Sequence, residues 1–174
     1  MARVRRIAPV VLTIAAVACF SGSCRRRPSD VKRMMNRLAG TWEWRQPNAA
    51  QPTVIVLELT ARGKYEETTY REIGGQRKLL YMHPFTKDLI VQPEGEEAIA
   101  ELEKERFQPA KDHGSYMVSL EENAQRIVFE SASVARARTT DAVGVDERLM
   151  MLRTDNQLVI GGRIYLRRPT TPSR

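Results

Sequence analysis

The feature of this sequence that most constrains its fold is a succession of short segments in which apolar and polar side chains alternate. Neighbouring side chains of a β-strand point to opposite faces of a sheet, so alternation over about four to eight residues favours a strand with one buried face. Turn-forming residues separate the segments, and Gly161-Gly162 fits a two-residue hairpin because both positions can take positive φ. The predicted strands are 41–45, 53–60, 64–73, 78–82, 88–92, 115–120, 125–131, 145–153, 157–160 and 163–168.

This strand pattern predicts a single all-β domain. An antiparallel sheet of about this size tends to close into a barrel, because closure removes its exposed edges. A short helix is predicted before the first strand, with Ser29 as its N-cap. Its apolar residues Met34, Met35 and Leu38 are expected to pack against one end of the barrel.

Three segments between the predicted strands do not alternate. The acidic segment 94–107 has a helical period with a thin apolar stripe, which is typical of a helix lying on a surface. Its place between two barrel strands allows two interpretations. The helix is either a lid over the barrel or a solvated surface element without such a role. Residues 108–114 are predicted to be a loop, and the small polar residues 132–144 are predicted to form the most mobile loop.

The N-terminal residues 1–23 have the organisation of an export signal. Arg3, Arg5 and Arg6 precede an apolar run from Ile7 to Phe20, which is shorter than the roughly 20 residues of a transmembrane helix. The small residues 21–23 then precede Cys24.

The stretch that ends at Cys24 resembles a bacterial lipobox, although Ser21 stands where that motif prefers Leu. The resemblance implies that Cys24 becomes the acylated first residue of a lipoprotein anchored in the cell envelope. Cys19, after Ala16-Val17-Ala18, is a rival site, but anchoring there would leave Cys24 as a spare thiol. Export without a lipid is the third interpretation.

Cysteine usage and charge restrict the partners of the folded domain. The two cysteines lie at positions 19 and 24, so the domain contains neither a disulfide nor a thiolate metal site. Without the three arginines of the leader, 25 basic residues stand against 21 acidic ones, which leaves a net charge of +4. Arg25, Arg26 and Arg27 are predicted either to contact an anionic lipid surface or to serve as a solvated tether. The remaining charges are interspersed, so nucleic acid is not an expected partner.

The stretch 38–42, Leu-Ala-Gly-Thr-Trp, introduces the first predicted strand and contains a G-x-W motif at Gly40 and Trp42. In this motif and its strand pattern the chain resembles the lipocalin-like branch of the calycin superfamily. The resemblance implies an up-and-down β-barrel in which a basic residue of the last strand lies across the Trp of the first strand. If the aliphatic face of 163–168 points inward, that residue is Arg168, with Arg167 as the alternative.

The predicted division of the chain is a signal peptide over 1–23, a tether and short helix over 24–37, a barrel over 38–168 and a disordered tail over 169–174. The inward faces of the strands predict a lining for a small apolar or amphipathic ligand or a lipid. An eight-stranded barrel either holds one small ligand or is filled by its own side chains. A filled barrel acting as a protein-interaction or envelope-maintenance module is therefore the alternative function. The predicted ligand-binding residues are Trp44, Leu57, Tyr65, Tyr116, Val118 and Phe129.

Catalysis and cofactor binding are not expected. The sequence contains neither a G-x-S-x-G motif nor a phosphate-binding glycine loop. Its two histidines, His83 and His113, lie in predicted loops without a clustered third ligand, so a metal site is not predicted.

Overall fold

A computed structural model of the protein describes residues 28–132 and 145–169. The leader, Cys19 and Cys24, the segment 133–144 and residues 170–174 lie outside the described residues, so the anchor, mobile-loop and tail predictions stay predictions. Two helices and eleven strands follow one another in this part of the chain. They are α1 (Pro28–Leu38), β1 (Gly40–Arg45), β2 (Thr53–Leu59), β3 (Lys64–Ile73), β4 (Gln76–Met82), β5 (Leu89–Val91), α2 (Glu96–Lys104), β6 (Gln108–Pro109), β7 (Lys111–Leu120), β8 (Gln125–Ser131), β9 (Val145–Thr154), β10 (Gln157–Ile160) and β11 (Arg163–Arg167).

Eight of these strands form a closed antiparallel barrel, as the alternating pattern predicts. In the order β1, β2, β3, β7, β8, β9, β10 and β11, each strand pairs with the next, and β11 returns to β1. Closure is made by Trp42 opposite Arg167 and by Glu43 opposite Leu166. Gly161 and Gly162 have φ values of 53° and 81°, so the last hairpin takes the turn expected from its two glycines.

The barrel is interrupted once, by an excursion that leaves from β3. The first half of β3 pairs with β7, whereas its second half, from Tyr70 to Ile73, pairs with β4. Strands β5 and β6 then pair with β4, and α2 lies between them in the chain. Helix α2 has no buried residue, and Ala98, Ile99 and Leu102 are half-buried. The predicted surface helix is therefore confirmed, while a role as a lid stays a prediction.

Residues 108–114 are not a loop, and that prediction is wrong. They contain β6 and the first four residues of β7, in which Asp112 pairs with Glu67 and Gly114 with Tyr65. The apolar alternation that reveals the rest of β7 is missing here, because its inward positions are Asp112 and Gly114. The register with β3, rather than a buried apolar face, defines this part of the strand.

Helix α1 closes one end of the barrel. Leu38 is fully buried, and Met34 and Met35 pack against the core, which confirms the predicted contact. The indole nitrogen Nε1 of Trp42 donates a hydrogen bond of 2.7 Å to the Leu38 carbonyl, which ties the helix end to β1. The helix begins at Pro28, so Ser29 lies in its first turn and is not its N-cap. We call this end of the barrel the floor and the opposite end the mouth.

The core inside the barrel is continuous and rich in aromatic rings. The Tyr65 and Phe129 rings meet edge to face with centroids 4.8 Å apart, and the Tyr116 ring lies 6.4 Å from that of Phe129. Burial of such rings supplies much of the free energy that stabilises a domain without disulfides. The members of the core are Leu38, Trp42, Ile55, Leu57, Leu59, Tyr65, Tyr116, Val118, Leu120, Ile127, Phe129, Met150, Leu158, Ile160 and Tyr165.

The face of β11 that points inward is opposite to the predicted one. Tyr165 is fully buried, while Ile164 and Leu166 are 45% and 57% exposed. The basic residue across Trp42 is consequently Arg167, whose guanidinium carbon lies 4.3 Å from the indole centroid. Arg168 points outward and forms an ion pair with Glu43 at 3.0 Å. The prediction of Arg168 is thus wrong, and the alternative residue, Arg167, makes the contact.

Gly40 is required by two features of this closure. Its φ of 138° lies in a region that side-chain-bearing residues rarely adopt. A Cβ atom at this position would also stand 2.7 Å from Nη1 of Arg167. The G-x-W motif is therefore structural, because Gly40 makes room for the guanidinium that covers Trp42.

Candidate functional site

The six predicted ligand-binding residues all lie on inward-facing positions of the barrel. Leu57, Tyr65, Tyr116, Val118 and Phe129 are buried members of the core, and each is at most 7% exposed. Trp44 is half-buried and packs against that core from the mouth side. The structure thus brings the six residues into one interior, in which the deeper five pack against other core side chains. Contact of any of them with a ligand stays a prediction.

Charged side chains share the inward faces of the strands near the mouth. Glu67 lies two positions from Tyr65 on β3, and Arg148 lies two positions from the buried Met150 on β9. The register agrees, because Glu67 pairs with Leu57 and Arg148 pairs with Ile127. We define the luminal polar cluster as Glu67, Asp112, Ser131, Asp146 and Arg148.

The ion pair between Arg148 and Glu67 crosses the interior of the barrel. Nη1 of Arg148 lies 3.9 Å from Oε2 of Glu67. Their strands, β9 and β3, are not neighbours in the closed sheet, so the two side chains meet in the lumen. The Arg148 guanidinium also lies 5.5 Å from the centroid of the Phe129 ring. The pair therefore forms a polar layer directly above the aromatic core.

The charge of Arg148 is stabilised by its partners. Burial alone would lower the pKa of Arg148, but the hydrogen bond to Asp146 and the charges of Asp146 and Glu67 raise that pKa instead. The Nε atom of Arg148 donates to Oδ2 of Asp146 at 2.9 Å, and Nη2 donates to the same oxygen. Such charge-assisted hydrogen bonds fix the guanidinium in place.

Asp112 is the acceptor for two hydroxyl groups on the other side of the cluster. The Tyr65 hydroxyl donates to its Oδ2 at 2.9 Å, and the Ser131 hydroxyl donates to its Oδ1. Tyr65 belongs to the core, so this bond connects the apolar interior to the polar layer.

Water reaches the polar layer in spite of its inward position. The side chains of Glu67, Arg148 and Asp146 are 24%, 26% and 34% exposed. The floor is different, since Leu38 and Trp42 there are fully buried. The barrel is therefore closed and apolar at the floor, and polar and solvated at the mouth.

The β1–β11 side of the mouth is formed by Trp44, Arg163 and Tyr165. The guanidinium carbon of Arg163 lies 4.7 Å from the centroid of the Trp44 ring, which is the geometry of a cation–π contact. Tyr165 is fully buried, and its hydroxyl has no hydrogen-bond partner among the described residues. Burial, followed by the charge of Glu67, raises the pKa of Tyr165, whereas the nearby Arg163 and Arg148 act in the opposite direction.

A second concave surface lies on the outer wall of the barrel. It has a volume of about 520 Å³ and is lined by residues of β1, β4, β10 and β11 together with the chain that follows β11. Glu43 lines this groove and is paired with Arg77 at 2.8 Å and with Arg168 at 3.0 Å. The apolar part of this groove is formed by Ile164, Leu166 and Pro169.

The outer wall beside this groove carries exposed apolar side chains. Leu149 and Met151 on β9 are 64% and 56% exposed, and they point outward like Ile164 and Leu166 on β11. Val159 of β10 pairs with both Met151 and Ile164, so these three residues form a row across the sheet. We call Leu149, Met151, Val159, Ile164 and Leu166 the outer apolar wall.

A metal centre is not evident in the part of the chain that the structure describes. No group of three or more histidine, cysteine or acidic residues there is arranged to hold an ion. The Nδ1 atom of His83 accepts a hydrogen bond of 3.2 Å from the Thr86 amide, and its ring lies 5.2 Å from that of Phe107. His113 is exposed on β7, where it pairs with Glu66.

Sequence reasoning missed the polar layer, although a signal for it was present. Glu67 has the inward parity of Tyr65 on β3, and Tyr165 has the parity of Arg163 on β11. The inward parity of Glu67 was not considered in the sequence analysis, and placing the aliphatic face of β11 inward turned Tyr165 outward. Charged residues on the parity of buried ones are the pattern that would have indicated this site.

The chain matches no protein-family model, no curated protein and no solved structure. The described residues include no helix long and apolar enough to cross a membrane.

Proposed function

We propose that this protein is a non-catalytic binding protein that takes a small amphipathic molecule at the mouth of its barrel. The observation that supports this proposal most directly is the luminal polar cluster, which stays solvated although it lies inside the barrel. Burying charges costs free energy that apolar side chains of similar volume would not cost. Their presence at one end of an otherwise apolar interior is therefore typical of a binding site.

The geometry suits a molecule with two different ends. Trp44 and Ile55 offer apolar surface at the mouth, and Ile55 pairs directly with both Trp44 and Thr69. Arg148 and Glu67 offer charged groups beneath them. The aromatic core below is filled by side chains, so the proposed ligand lies above the ion pair and not at the floor.

Probe binding tests this function in the full-length chain. A fluorescent fatty-acid analogue should saturate at one molecule per chain, because only the mouth of the barrel is open to solvent. Thr69→Trp should abolish that binding, since Thr69 shares the inward face of Ile55 and the new ring would occupy the mouth. Glu58→Trp on the exposed face of β2 is the matched control and should leave binding unchanged. A folded protein that binds no probe would refute the proposal.

The protein is further proposed to be a lipoprotein of the cell envelope, anchored through Cys24. The support is the sequence of the leader, in which small residues precede Cys24 and basic residues follow it. Mass spectrometry of the mature N-terminus should find a diacylated or triacylated Cys24. An unmodified N-terminal peptide that begins elsewhere would exclude this anchor. Acylation of Cys19 would show that the anchor is Cys19 and not Cys24.

The outer apolar wall favours a second candidate function, a protein-interaction module built on a filled barrel. Exposed contiguous apolar surface of this kind marks contact sites in many soluble proteins. The same probe separates the two functions. Binding that survives Thr69→Trp but is lost in Leu166→Glu would place the probe on the outer wall and support the second candidate.

A further inference from the structure

The outer apolar wall holds half of the large apolar side chains that are exposed in the described residues. Eight such side chains are exposed there, and four of them, Leu149, Met151, Ile164 and Leu166, belong to the wall. Val159 lies between Met151 and Ile164 in the sheet, so the wall is continuous over β9, β10 and β11. A contiguous exposed apolar surface of this kind marks a site of contact with a protein or a membrane.

Arginine side chains border this wall on its β11 side. The concave surface on the outer side of the barrel, which we call the arginine groove, shares Ile164 and Leu166 with the wall. Its lining also includes Arg45, Arg77 and Arg168. The apolar surface and the cationic surface are therefore continuous with each other.

The arginine groove presents guanidinium groups and covers its carboxylates. Glu43 pairs with Arg77 and Arg168, and Glu72 pairs with Arg45 at 2.6 Å. The side chains of Arg45 and Arg168 are 54% and 48% exposed, whereas those of Glu43 and Glu72 are both 17% exposed. A surface that approaches the groove would therefore meet mainly positive charge.

The opposite border of the wall has no such excess of exposed cations. Arg126 of β8 lies opposite Leu149 in the register and forms ion pairs with Glu121 and Glu147. These two carboxylates are more exposed than Arg126 itself. The groove is therefore the side of the wall that attracts an anionic partner.

An anionic phospholipid surface has both chemistries that this face requires. A guanidinium has five N–H donors, so an arginine that pairs with a carboxylate can still donate to a lipid phosphate. Basic side chains next to exposed apolar ones are also typical of segments that lie in the membrane interface. The apolar side chains would enter the boundary of the acyl chains while the guanidinium groups contact the headgroups.

The leader favours lipid over a soluble protein as the partner of this face. The predicted anchor, Cys24, lies four residues before Pro28, the first residue of α1. Four extended residues span at most about 14 Å, and α1 packs against the floor, so this anchor would hold the barrel beside the membrane. Arg25, Arg26 and Arg27, between the anchor and α1, have the same sign of charge as the groove.

We propose that the outer apolar wall and the arginine groove together rest on an anionic phospholipid surface, with Arg45, Arg77 and Arg168 on the lipid phosphates. The choice of lipid rests on the anchor proposed above, and the inference is independent of ligand binding at the mouth. It adds an orientation to the proposed function, because the barrel then lies on the membrane with β9, β10 and β11 against the lipid.

Nitroxide labels on the full-length chain test this orientation. Cys19→Ser and Cys24→Ser remove the native thiols, after which Met151→Cys carries a single label on the wall. Glu66→Cys is the matched control, because Glu66 is exposed on β3, which lies four strands from β10 in either direction around the barrel. The apolar run 7–20 of the leader should attach every variant to vesicles, and flotation isolates the attached chains. The comparison therefore reports which face meets the lipid.

Electron paramagnetic resonance measures how often each label collides with oxygen and with a water-soluble nickel chelate. On vesicles of phosphatidylglycerol and phosphatidylcholine, the label at position 151 should lie about 5–10 Å below the headgroup boundary, the depth of interfacial segments. The label at position 66 should stay in water. On phosphatidylcholine alone both labels should stay in water, because a surface without net charge does not attract the groove.

Charge reversal tests the part played by the groove. Arg168→Glu should return the label at position 151 to water on the anionic vesicles, and Arg45→Glu is an independent second variant on the same groove. Lys64→Glu changes the net charge by the same amount on the exposed face of β3 and should leave the label immersed.

Four results would overturn the inference. They are a label at position 151 that stays in water on anionic vesicles, equal immersion on phosphatidylcholine alone, immersion that survives both groove reversals, and dipolar broadening between labels at position 151 that persists on vesicles. The last result would show that a second copy of the chain covers the wall. An acylated Cys24 in a protein whose wall stays in water would leave the anchor standing, whereas an immersed wall with an unmodified Cys24 would support the docking surface and remove the anchor.

Discussion

Arg167 joins three parts of the chain that are distant in sequence. Its guanidinium covers Trp42 at 4.3 Å and donates to the backbone carbonyls of Arg37, Ala39 and Asp155. It therefore connects the end of α1, the start of β1 and the β9–β10 turn at the floor of the barrel. Arg168, its neighbour, makes a single ion pair with Glu43 on the outer surface.

This difference gives a matched pair of substitutions. Arg167→Ala should lower the free energy of unfolding by about 2–4 kcal/mol, because it exposes Trp42 and leaves carbonyls without donors. Arg168→Ala should change it by less than about 1 kcal/mol, as expected for an exposed pair. Urea denaturation followed by tryptophan fluorescence measures both. Equal costs, or a larger cost at Arg168, would contradict the assignment of the inward face of β11.

A second residue-scale prediction concerns alkaline pH. Burial raises the pKa of Tyr116 to about 12. In the unfolded chain a tyrosine ionises near pH 10, so the unfolded state loses the proton first. The stability that the neutral Tyr116 contributes is complete below about pH 10 and is lost as pH rises towards 12, by about 2–3 kcal/mol.

Urea midpoints measured across this interval test that sign. The midpoint should fall between about pH 10 and 12 in wild type, and more gradually in Tyr116→Phe, which lacks the titrating group. A midpoint that is flat over this range would mean that Tyr116 is not sequestered from water.

At the scale of elements, the two helices have opposite relations to the barrel. Leu38 at the end of α1 is fully buried beneath Trp42, whereas Leu102 of α2 is half-buried on a helix outside the barrel. Burial of a leucine side chain in a packed core is worth far more than its partial contact with a surface.

Alanine at each position tests this contrast. Leu38→Ala should cost about 2–5 kcal/mol, since it opens a cavity at the floor. Leu102→Ala should cost less than about 1 kcal/mol. Thermal unfolding by circular dichroism at 215 nm, a band typical of β-structure, is the measurement. A large cost at Leu102 would show that α2 is packed more tightly than a surface helix.

The elements that the sequence predicts well are those with a buried face. Strands β3, β8 and β10 begin and end where the pattern predicts them, and their inward faces carry core residues such as Tyr65, Phe129 and Leu158. The start of β7 was missed, since the inward Asp112 and Gly114 give no apolar signal. The register of β7 depends on its pairing with β3. Because β3 is remote in the sequence, a local pattern does not reveal this pairing.

The candidate site was predicted in part for the same reason. Trp44 and the deeper aromatic residues were assigned to the interior from alternation alone, and the structure places them there. Arg148, Glu67 and Tyr165 were not assigned, because their partners are brought together only by closure of the barrel. The inward face of β11 carries Tyr165 and Arg167, and the Arg167 guanidinium donates to three backbone carbonyls, a role that residue hydrophobicity does not describe.

At the scale of the whole molecule, closure can be tested through the ion pair that crosses the lumen. Arg148 and Glu67 lie on strands that are separated by β7 and β8 on one side and by four strands on the other. Only a closed barrel brings them within 3.9 Å. On the outer surface Arg126 and Glu147 form a pair between the neighbouring strands β8 and β9, and both of these side chains are more exposed.

A double-mutant cycle on each pair separates the two situations. Arg148→Met should cost about 1–3 kcal/mol because it removes the guanidinium that pairs with Glu67 and Asp146 inside the barrel. Glu67→Gln in the same chain should recover part of that loss and give a coupling energy above about 1 kcal/mol. The cycle of Arg126→Met with Glu147→Gln should give less than about 1 kcal/mol and should weaken further in high salt, because water screens it. Equal coupling in both cycles, with equal dependence on salt, would mean that Arg148 and Glu67 do not meet inside a closed barrel.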